Sequence, residues 1–169
     1  MSLATETRAM DAAGVTIERP TMRDADAIVE LWVALAAGQR DYDSHLTAAP
    51  NRDRIRESIT RQIALSELQV ARTEDRHVGF VMYAIEGSTF DRTATRGVIQ
   101  NLYVVPDHRG RGIGSRLLEA AEADLRADGA DVVGLEVMAD NEAAQRFYAR
   151  HGYEDHRVTL EKSVENDTL

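Results

Sequence analysis

The chain has 169 residues, of which 43% are hydrophobic and 29% are charged, and it carries a net charge of −9 and no cysteine. Such a length and composition are typical of one globular domain. The absence of cysteine excludes disulfides, thiolate metal sites and a cysteine nucleophile. The acidic balance argues against a nucleic-acid-binding surface, and no apolar run is long enough for a membrane span. Because no secretory signal is recognisable, we expect a cytoplasmic protein.

We expect a single domain at residues 14–163, between a flexible N-terminal tail (1–13) and a C-terminal tail (164–169). Hydrophobic periodicity predicts elements in the order β-α-α-β-β-β-α-β-α-β. The predicted strands cover residues 15–19, 68–72, 77–86, 97–105, 132–138 and 153–162. The predicted helices cover residues 24–37, 52–66, 113–127 and 141–150. This order indicates the α/β class, with a central mixed sheet flanked by helices on both faces.

A glycine-rich turn joins the fourth predicted strand to the third predicted helix, with glycines at alternate positions: Gly110, Gly112 and Gly114. Glycines let the main chain approach a ligand closely and tolerate positive φ. The helix start beyond them offers unpaired N–H groups and the positive end of a dipole. These features favour a cradle for an anion, most naturally a phosphate. The alternative is a turn that leads into the helix and binds no ligand. Three arginines flank the glycine-rich turn: Arg109, Arg111 and Arg116.

The spacing excludes two common phosphate-binding loops. Gly114 is followed by Ser115 and Arg116 rather than by the lysine of a Walker loop, and G-x-G-x-G departs from the dinucleotide fingerprint. Residues 109–114 instead resemble the R/Q-x-x-G-x-G/A signature of the GNAT superfamily of acetyl-CoA-dependent N-acetyltransferases. Residues 135–153 resemble that family's strand-loop-helix element, L-x-V-x-x-x-N-x-x-A-x-x-F-Y-x-x-x-G-F/Y, at every fixed position. The predicted element order is also that of the GNAT fold.

This resemblance implies a binding site for acetyl-CoA and no metal. The amides of the loop would hold the pyrophosphate of coenzyme A, and the end of the fourth strand would pair with the pantetheine amides like an added strand. Asn141 is expected to cap its helix, to hydrogen-bond the cofactor, or to do both. The residues so implied in cofactor binding are Leu102, Tyr103, Val104, Arg109, Gly110, Arg111, Gly112, Ile113, Gly114, Ser115 and Asn141.

Acetyl transfer to an amine needs a proton acceptor, because an ammonium has no lone pair, and a proton donor for the departing thiolate. We predict Tyr148 as the acid, since the resemblance places the tyrosine of the F-Y pair near the pantetheine end. The alternative is an aromatic core residue at helical spacing.

The base is predicted less directly, because the fourth strand carries no carboxylate between Gly97 and Tyr103. Glu136 is the candidate, since a carboxylate half-buried among apolar neighbours becomes a stronger base. The same Leu-Glu-Val spacing occurs in the ribosomal-protein N-terminal acetyltransferases of the family. A purely structural carboxylate is the first alternative, and water carrying the proton past Gln100 or Asn101 is the second.

The resulting hypothesis is an N-acetyltransferase that moves an acetyl group from acetyl-CoA to a primary amine by direct attack, with no covalent enzyme intermediate. Two alternatives stay open: transfer of another acyl group, and a non-catalytic acyl-CoA-binding sensor. The acceptor is a small molecule or a protein or peptide amine, and a homodimer is possible. We expect no nucleic-acid or membrane partner.

Acceptor specificity is expected in residues 36–52, in the loop 87–96 and near the last strand. Asp41, Asp43 and Glu86 are candidates for attracting a cationic acceptor. The alternative is that the acidic residues serve only to keep the protein in solution. The histidines show no metal-ligand spacing, and we interpret all of them as surface or loop residues.

Overall fold

A computed structural model describes residues 14–47, 49–87 and 92–164. The strands are β1 (Thr16–Glu18), β2 (Leu68–Arg72), β3 (His77–Ile85), β4 (Arg96–Val104) and β5 (Val132–Leu135). The helices are α1 (Ala25–Gln39), α2 (Arg52–Leu65), α3 (Ile113–Ala127) and α4 (Glu142–Arg150). The tail predicted at residues 1–13 lies outside the described residues. No described helix is long and apolar enough to cross a membrane.

The strands form one sheet in the order β1-β2-β3-β4-β5. Neighbours are antiparallel from β1 to β4, whereas β5 runs parallel to β4. A parallel neighbour needs a crossover connection, and α3 supplies it. The predicted mixed sheet with flanking helices is therefore confirmed.

Helices cover both faces of the sheet and divide the core into two layers. On one face Ile28 of α1 and Ile59 of α2 pack with Phe80 and Met82 of β3. On the other face α3 packs against Val81 of β3 and its neighbours. The side chains of α3 that make this contact are buried and lie one turn apart: Leu117, Ala121 and Leu125. The sequence of β3 is a nearly continuous apolar run because helices cover both faces of this strand.

The predicted last strand is wrong. Described residues 153–164 contain no helix or strand, and Val158 and Leu160 are 81% and 89% exposed. The alternation of apolar residues there is that of a strand, but a strand also needs a neighbour to share its hydrogen bonds. This segment instead passes the loop after α1, where the carboxylate of Glu161 lies 3.2 Å from Nε2 of His45.

Candidate active site

Strands β4 and β5 separate beyond Ile99. Their pairing runs from Arg96 opposite Val132 to Ile99 opposite Leu135, while β4 itself continues to Val104. The main-chain N–H of Val105 donates to the Val78 carbonyl of β3 at 2.9 Å. Main-chain groups of successive residues alternate between the two sides of a strand. Of the residues expected to pair with a ligand through the main chain, Leu102 and Val104 therefore have N–H and C=O groups that face the gap, and those of Tyr103 face β3. Among the described residues no strand pairs with β4 across the gap, so this edge is free except at the Val104 carbonyl, which accepts from Arg109.

A β-bulge in β4 lies at the start of this gap. Asn101 is opposite Met82 and Ile99 is opposite Tyr83, which leaves Gln100 as the extra residue. The bulge turns two consecutive side chains, Gln100 and Asn101, toward the α2 face. The Gln62 amide of α2 donates to the Gln100 side-chain oxygen at 3.0 Å and so fixes its position.

The glycine-rich turn has the backbone that its sequence predicts. Gly110 and Gly112 have φ of 72° and 79°, and a Cβ at either position would meet no atom within 4 Å. Gly112 is the N-cap of α3, so the first N–H groups of the helix point outward without an intrahelical acceptor. Gly114 has a different role: it lies inside the first turn, where a Cβ would stand 3.5 Å from the ring of Phe147.

The three flanking arginines point in different directions. Arg109 donates through Nε to the Val104 carbonyl at 2.8 Å, and its guanidinium lies 5.5 Å from the centre of the Tyr103 ring. Arg116 turns away and donates to the Val15 carbonyl at 3.1 Å. Arg111 is exposed and forms no hydrogen bond or ion pair within the described part of the chain. Arg111 is therefore the guanidinium available to an anion.

Tyr148 lies on α4 and packs against the α3 side of the core. Its ring makes edge-on contacts with Phe147 and Tyr153, at 5.1 and 5.7 Å between centroids. Burial raises the pKa of Tyr148 to about 12. Its hydroxyl has no hydrogen-bond partner among the described residues and is therefore free to donate a hydrogen bond to a ligand.

The expected half-burial of Glu136 is wrong. Strand β5 ends at Leu135 rather than at residue 138, and Glu136 directly after it is exposed. Glu136 therefore lacks the apolar surroundings expected for it, because the strand ends one residue before it.

Asn141 and His151 sit at the two ends of α4. The Asn141 side chain accepts a hydrogen bond from the Ala144 N–H at 3.1 Å, which confirms the predicted cap. His151 was interpreted as a surface or loop residue, but its Nδ1 lies 2.8 Å from the Phe147 carbonyl and its Nε2 lies 2.9 Å from the Ser115 hydroxyl. Since a carbonyl can only accept, Nδ1 carries a proton, and His151 ties α4 to the first turn of α3.

A cleft of about 380 Å³ opens between the sheet and helices α1 and α2. Its lining combines apolar and polar side chains: Trp32, Leu46, Asn51, Arg54, Ile55, Ser58, Met82, Gln100 and Asn101. Leu46 and Asn51 fall in the predicted specificity region, whereas Arg54 was missed because helical periodicity marks it only as an exposed position. Glu86 does not line the cleft and pairs with Arg92 and Arg96. Residues 88–91 of the predicted loop lie outside the described residues.

Comparisons with known proteins agree with this architecture. The sequence profile of the Acetyltransferase (GNAT) family matches residues 32–153, which include both glycine-containing motifs. N-alpha-acetyltransferase 30 of Schizosaccharomyces pombe is 37% identical over 50% of this chain and 55% of its own length. Aminoalkylphosphonate N-acetyltransferase of Salmonella typhimurium is 28% identical over 88% of this chain and 90% of its own length.

A solved GCN5-related N-acetyltransferase of Ralstonia eutropha shares the fold, with a TM-score of 0.72 at 24% identity over 90% of this chain and 100% of that one. The chain spans about half the length of the first of the two curated relatives and nearly all of the second. The profile match from α1 to just beyond α4 covers the gap, the cradle and the tyrosine helix together. The chain belongs to the GNAT family of acetyl-CoA-dependent N-acetyltransferases.

Proposed function

We propose that this protein transfers the acetyl group of acetyl-CoA directly to a primary amine. The amine nitrogen forms a bond to the acetyl carbon as the carbon–sulfur bond breaks. The nitrogen gives up a proton, and the sulfur leaves as a thiolate that then takes up a proton from water. No described residue group offers a metal site, and the proposed chemistry uses none.

The observation that carries this proposal is the free edge of β4, which leads along the chain into the cradle at the start of α3. The main-chain groups of Leu102 and the N–H of Val104 can pair with the amides of an extended chain such as pantetheine, while the Val104 carbonyl accepts from Arg109. The outward N–H groups of the α3 N-terminus, with Arg111 beside them, suit a pyrophosphate. Acetyl-CoA, when bound, supplies the acetyl group as an activated thioester. The residues present therefore fit this cofactor.

Tyr148 acts in this proposal as the hydrogen-bond donor to the departing sulfur. A pKa of about 12 keeps its hydroxyl protonated across the physiological range. That value lies above the pKa of an ordinary thiol, about 8.5, so the proton stays mainly on the phenol and stabilises the developing thiolate through a hydrogen bond.

The amine proton leaves through water held near Gln100 and Asn101, or through Glu136. The exposure of Glu136 favours the water path. We therefore expect Glu136→Gln to keep kcat within about threefold, whereas loss of a general base costs about a hundredfold or more. A hundredfold loss would identify Glu136 as the base.

The direct test is release of free thiol from acetyl-CoA in the presence of pooled amines and N-terminal peptides. We expect turnover with at least one pool, and Tyr148→Phe should lower kcat by about a hundredfold or more while acetyl-CoA binding is kept. Tyr153→Phe is the matched control, because its hydroxyl donates to Glu122 at 2.7 Å and is occupied. Binding of acetyl-CoA without turnover on any pool would favour a non-catalytic acyl-CoA-binding sensor. Faster turnover with another acyl-CoA would show that a different acyl group is transferred.

The relatives suggest two classes of acceptor. One is named as an N-alpha-acetyltransferase and the other as an aminoalkylphosphonate N-acetyltransferase. The near full-length match to the second supports a small-molecule amine as the acceptor.

A further inference from the structure

Among the described residues Arg54 has no acidic partner, unlike the arginines two residues before and after it on α2. Arg52 pairs with Glu30 and Arg56 pairs with Asp26, so both tie α2 to α1. Arg54 lines the cleft, and no acidic side chain pairs with it among the described residues. The chain has 29 acidic and 20 basic residues, so a shortage of carboxylates does not explain this. An unpaired guanidinium can bind a negative charge, and Arg54 offers one within the lining of the cleft.

The rest of the cleft supports the same reading. Of the described residues that line it, none is acidic. A polyamine would therefore meet Arg54 with no carboxylate to offset the repulsion between like charges. The acidic surface of the protein was expected to attract a cationic acceptor, but the lining of this cleft does not favour one.

The cleft lining differs in chemistry between β4 and α2. Gln100 and Asn101 lie on β4 immediately before the gap, the edge along which acetyl-CoA is proposed to bind. Arg54 lies on α2, and the apolar side chains of Trp32 and Met82 contribute to the lining between helix and sheet. A volume of about 380 Å³ suits a small molecule. This arrangement fits a short chain with an amine at one end and an anion at the other.

We propose, on the basis of the acetyltransferase function above, that the acceptor is a small primary amine bearing an oxyanion, which Arg54 binds. The oxyanion is a carboxylate, a phosphonate or a phosphate, because the planar guanidinium donates two parallel hydrogen bonds to each of these. A hydrogen bond to a charged group contributes about 1.5–3 kcal/mol, so removing the guanidinium should weaken binding by about ten- to a hundredfold.

The experiment compares acceptors of similar length: β-alanine and 3-aminopropylphosphonate, the neutral β-alaninamide and the cationic 1,3-diaminopropane. The wild-type protein should favour the two oxyanions in kcat/KM by about tenfold or more. Arg54→Gln should abolish that preference through KM and leave kinetics with β-alaninamide unchanged, and Arg54→Lys should retain part of it. Arg56→Gln removes the same charge from the same helix but lies outside the cleft, so it should behave as wild type.

A second measurement separates recognition from catalysis. Calorimetry with 3-aminopropylphosphonate is performed on the protein saturated with coenzyme A. Binding that is lost in Arg54→Gln and kept in Arg56→Gln supports the oxyanion site even if no acceptor is turned over, in which case the acetyltransferase function alone fails. Absence of binding, preference for the neutral or cationic amine, or equal losses in both variants would overturn the oxyanion proposal and leave acetyl transfer standing.

Discussion

Single residues in this protein act mainly through the neighbours that the fold gives them. Tyr148 is buried enough to stay protonated, and Gly112 has the backbone that an outward-facing helix start requires. His151 joins the two halves of the site, because it bonds Ser115 at the cradle and belongs to the end of the helix that carries Tyr148.

His151 is therefore expected to position the cradle rather than take part in the chemistry. One neutral hydrogen bond contributes about 0.5–1.5 kcal/mol, so His151→Phe should raise KM for acetyl-CoA by about two- to tenfold with little change in kcat. Ser115→Ala should have a similar effect, and the double variant should be no worse than either alone. His156→Gln, at an exposed position, is the control. Additive losses, or a fall in kcat without a change in KM, would contradict this role.

The sequence identified residues whose role is carried by a local motif, and it missed those whose role depends on distant neighbours. The glycine turn and the Asn141 cap follow from short-range backbone rules, and both are present. The exposure of Glu136, the partial burial of His151 and the lack of a described acidic partner for Arg54 depend on where a strand ends and on which elements pack nearby.

At the scale of elements, the site depends on close packing within the sheet. A Cβ at Gly79 of β3 would stand 2.7 Å from the main-chain oxygen of Tyr103 on β4. At Gly134 of β5 the nearest atoms belong instead to the flexible end of the Arg96 side chain. The two strand glycines therefore differ in what must move when a methyl group is added.

We expect Gly79→Ala to lower the free energy of unfolding by about 2 kcal/mol, because a main-chain atom of the adjacent strand must shift. Gly134→Ala should change it by only about 0.5 kcal/mol, since Arg96 can reorient. Urea unfolding midpoints of the two variants provide the comparison. Equal midpoints would contradict the tight approach of β3 and β4.

The predicted elements agree with the structure except in the C-terminal region. Periodicity located α1 to α4 and β1 to β4 to within a few residues, since each buries an apolar face against a neighbour. It extended β5 beyond Leu135 and placed a strand at 153–162. Alternation of apolar and polar residues shows which side of a segment is apolar. Whether the segment forms a strand depends on a free sheet edge beside it to share its hydrogen bonds.

At the scale of the whole molecule, stability depends on a polar cluster that joins β2, β3 and the turn before α1. Asp24 accepts from the Thr21 N–H at 2.7 Å, pairs with Arg72, and lies 3.2 Å from Nε2 of His77. Burial opposes ionisation of Asp24, but the Thr21 hydrogen bonds and the Arg72 charge outweigh it and lower the pKa of Asp24. Burial and Arg72 also lower the pKa of His77, and Asp24 only partly offsets them.

Both shifts destabilise the fold in acid. A lowered pKa in the folded protein means that the unfolded chain takes up the proton first, so stability is lost as pH falls below the ordinary value of each group. For His77 that loss begins near pH 6.5. We expect the urea midpoint to fall between pH 7.5 and pH 5.5, and to fall less in His77→Gln. His156→Gln should follow wild type, and an identical fall in His77→Gln would exclude this cluster as the cause.

The overall fold class followed from the sequence because alternating strands and helices leave few ways to cover a sheet. The acceptor cleft did not, because it is assembled from side chains of α1, α2, β3 and β4 that are far apart in the chain.

The most direct test of the account is calorimetric titration of the purified protein with acetyl-CoA, with Gly112→Val measured alongside. We expect saturable binding to one site, weakened by about tenfold or more in the variant, because a β-branched residue is strained at a φ of 79° and adds bulk to the open space beside the helix start. Absence of acetyl-CoA binding by the wild-type protein, or equal affinity in Gly112→Val, would contradict the assignment of the cradle.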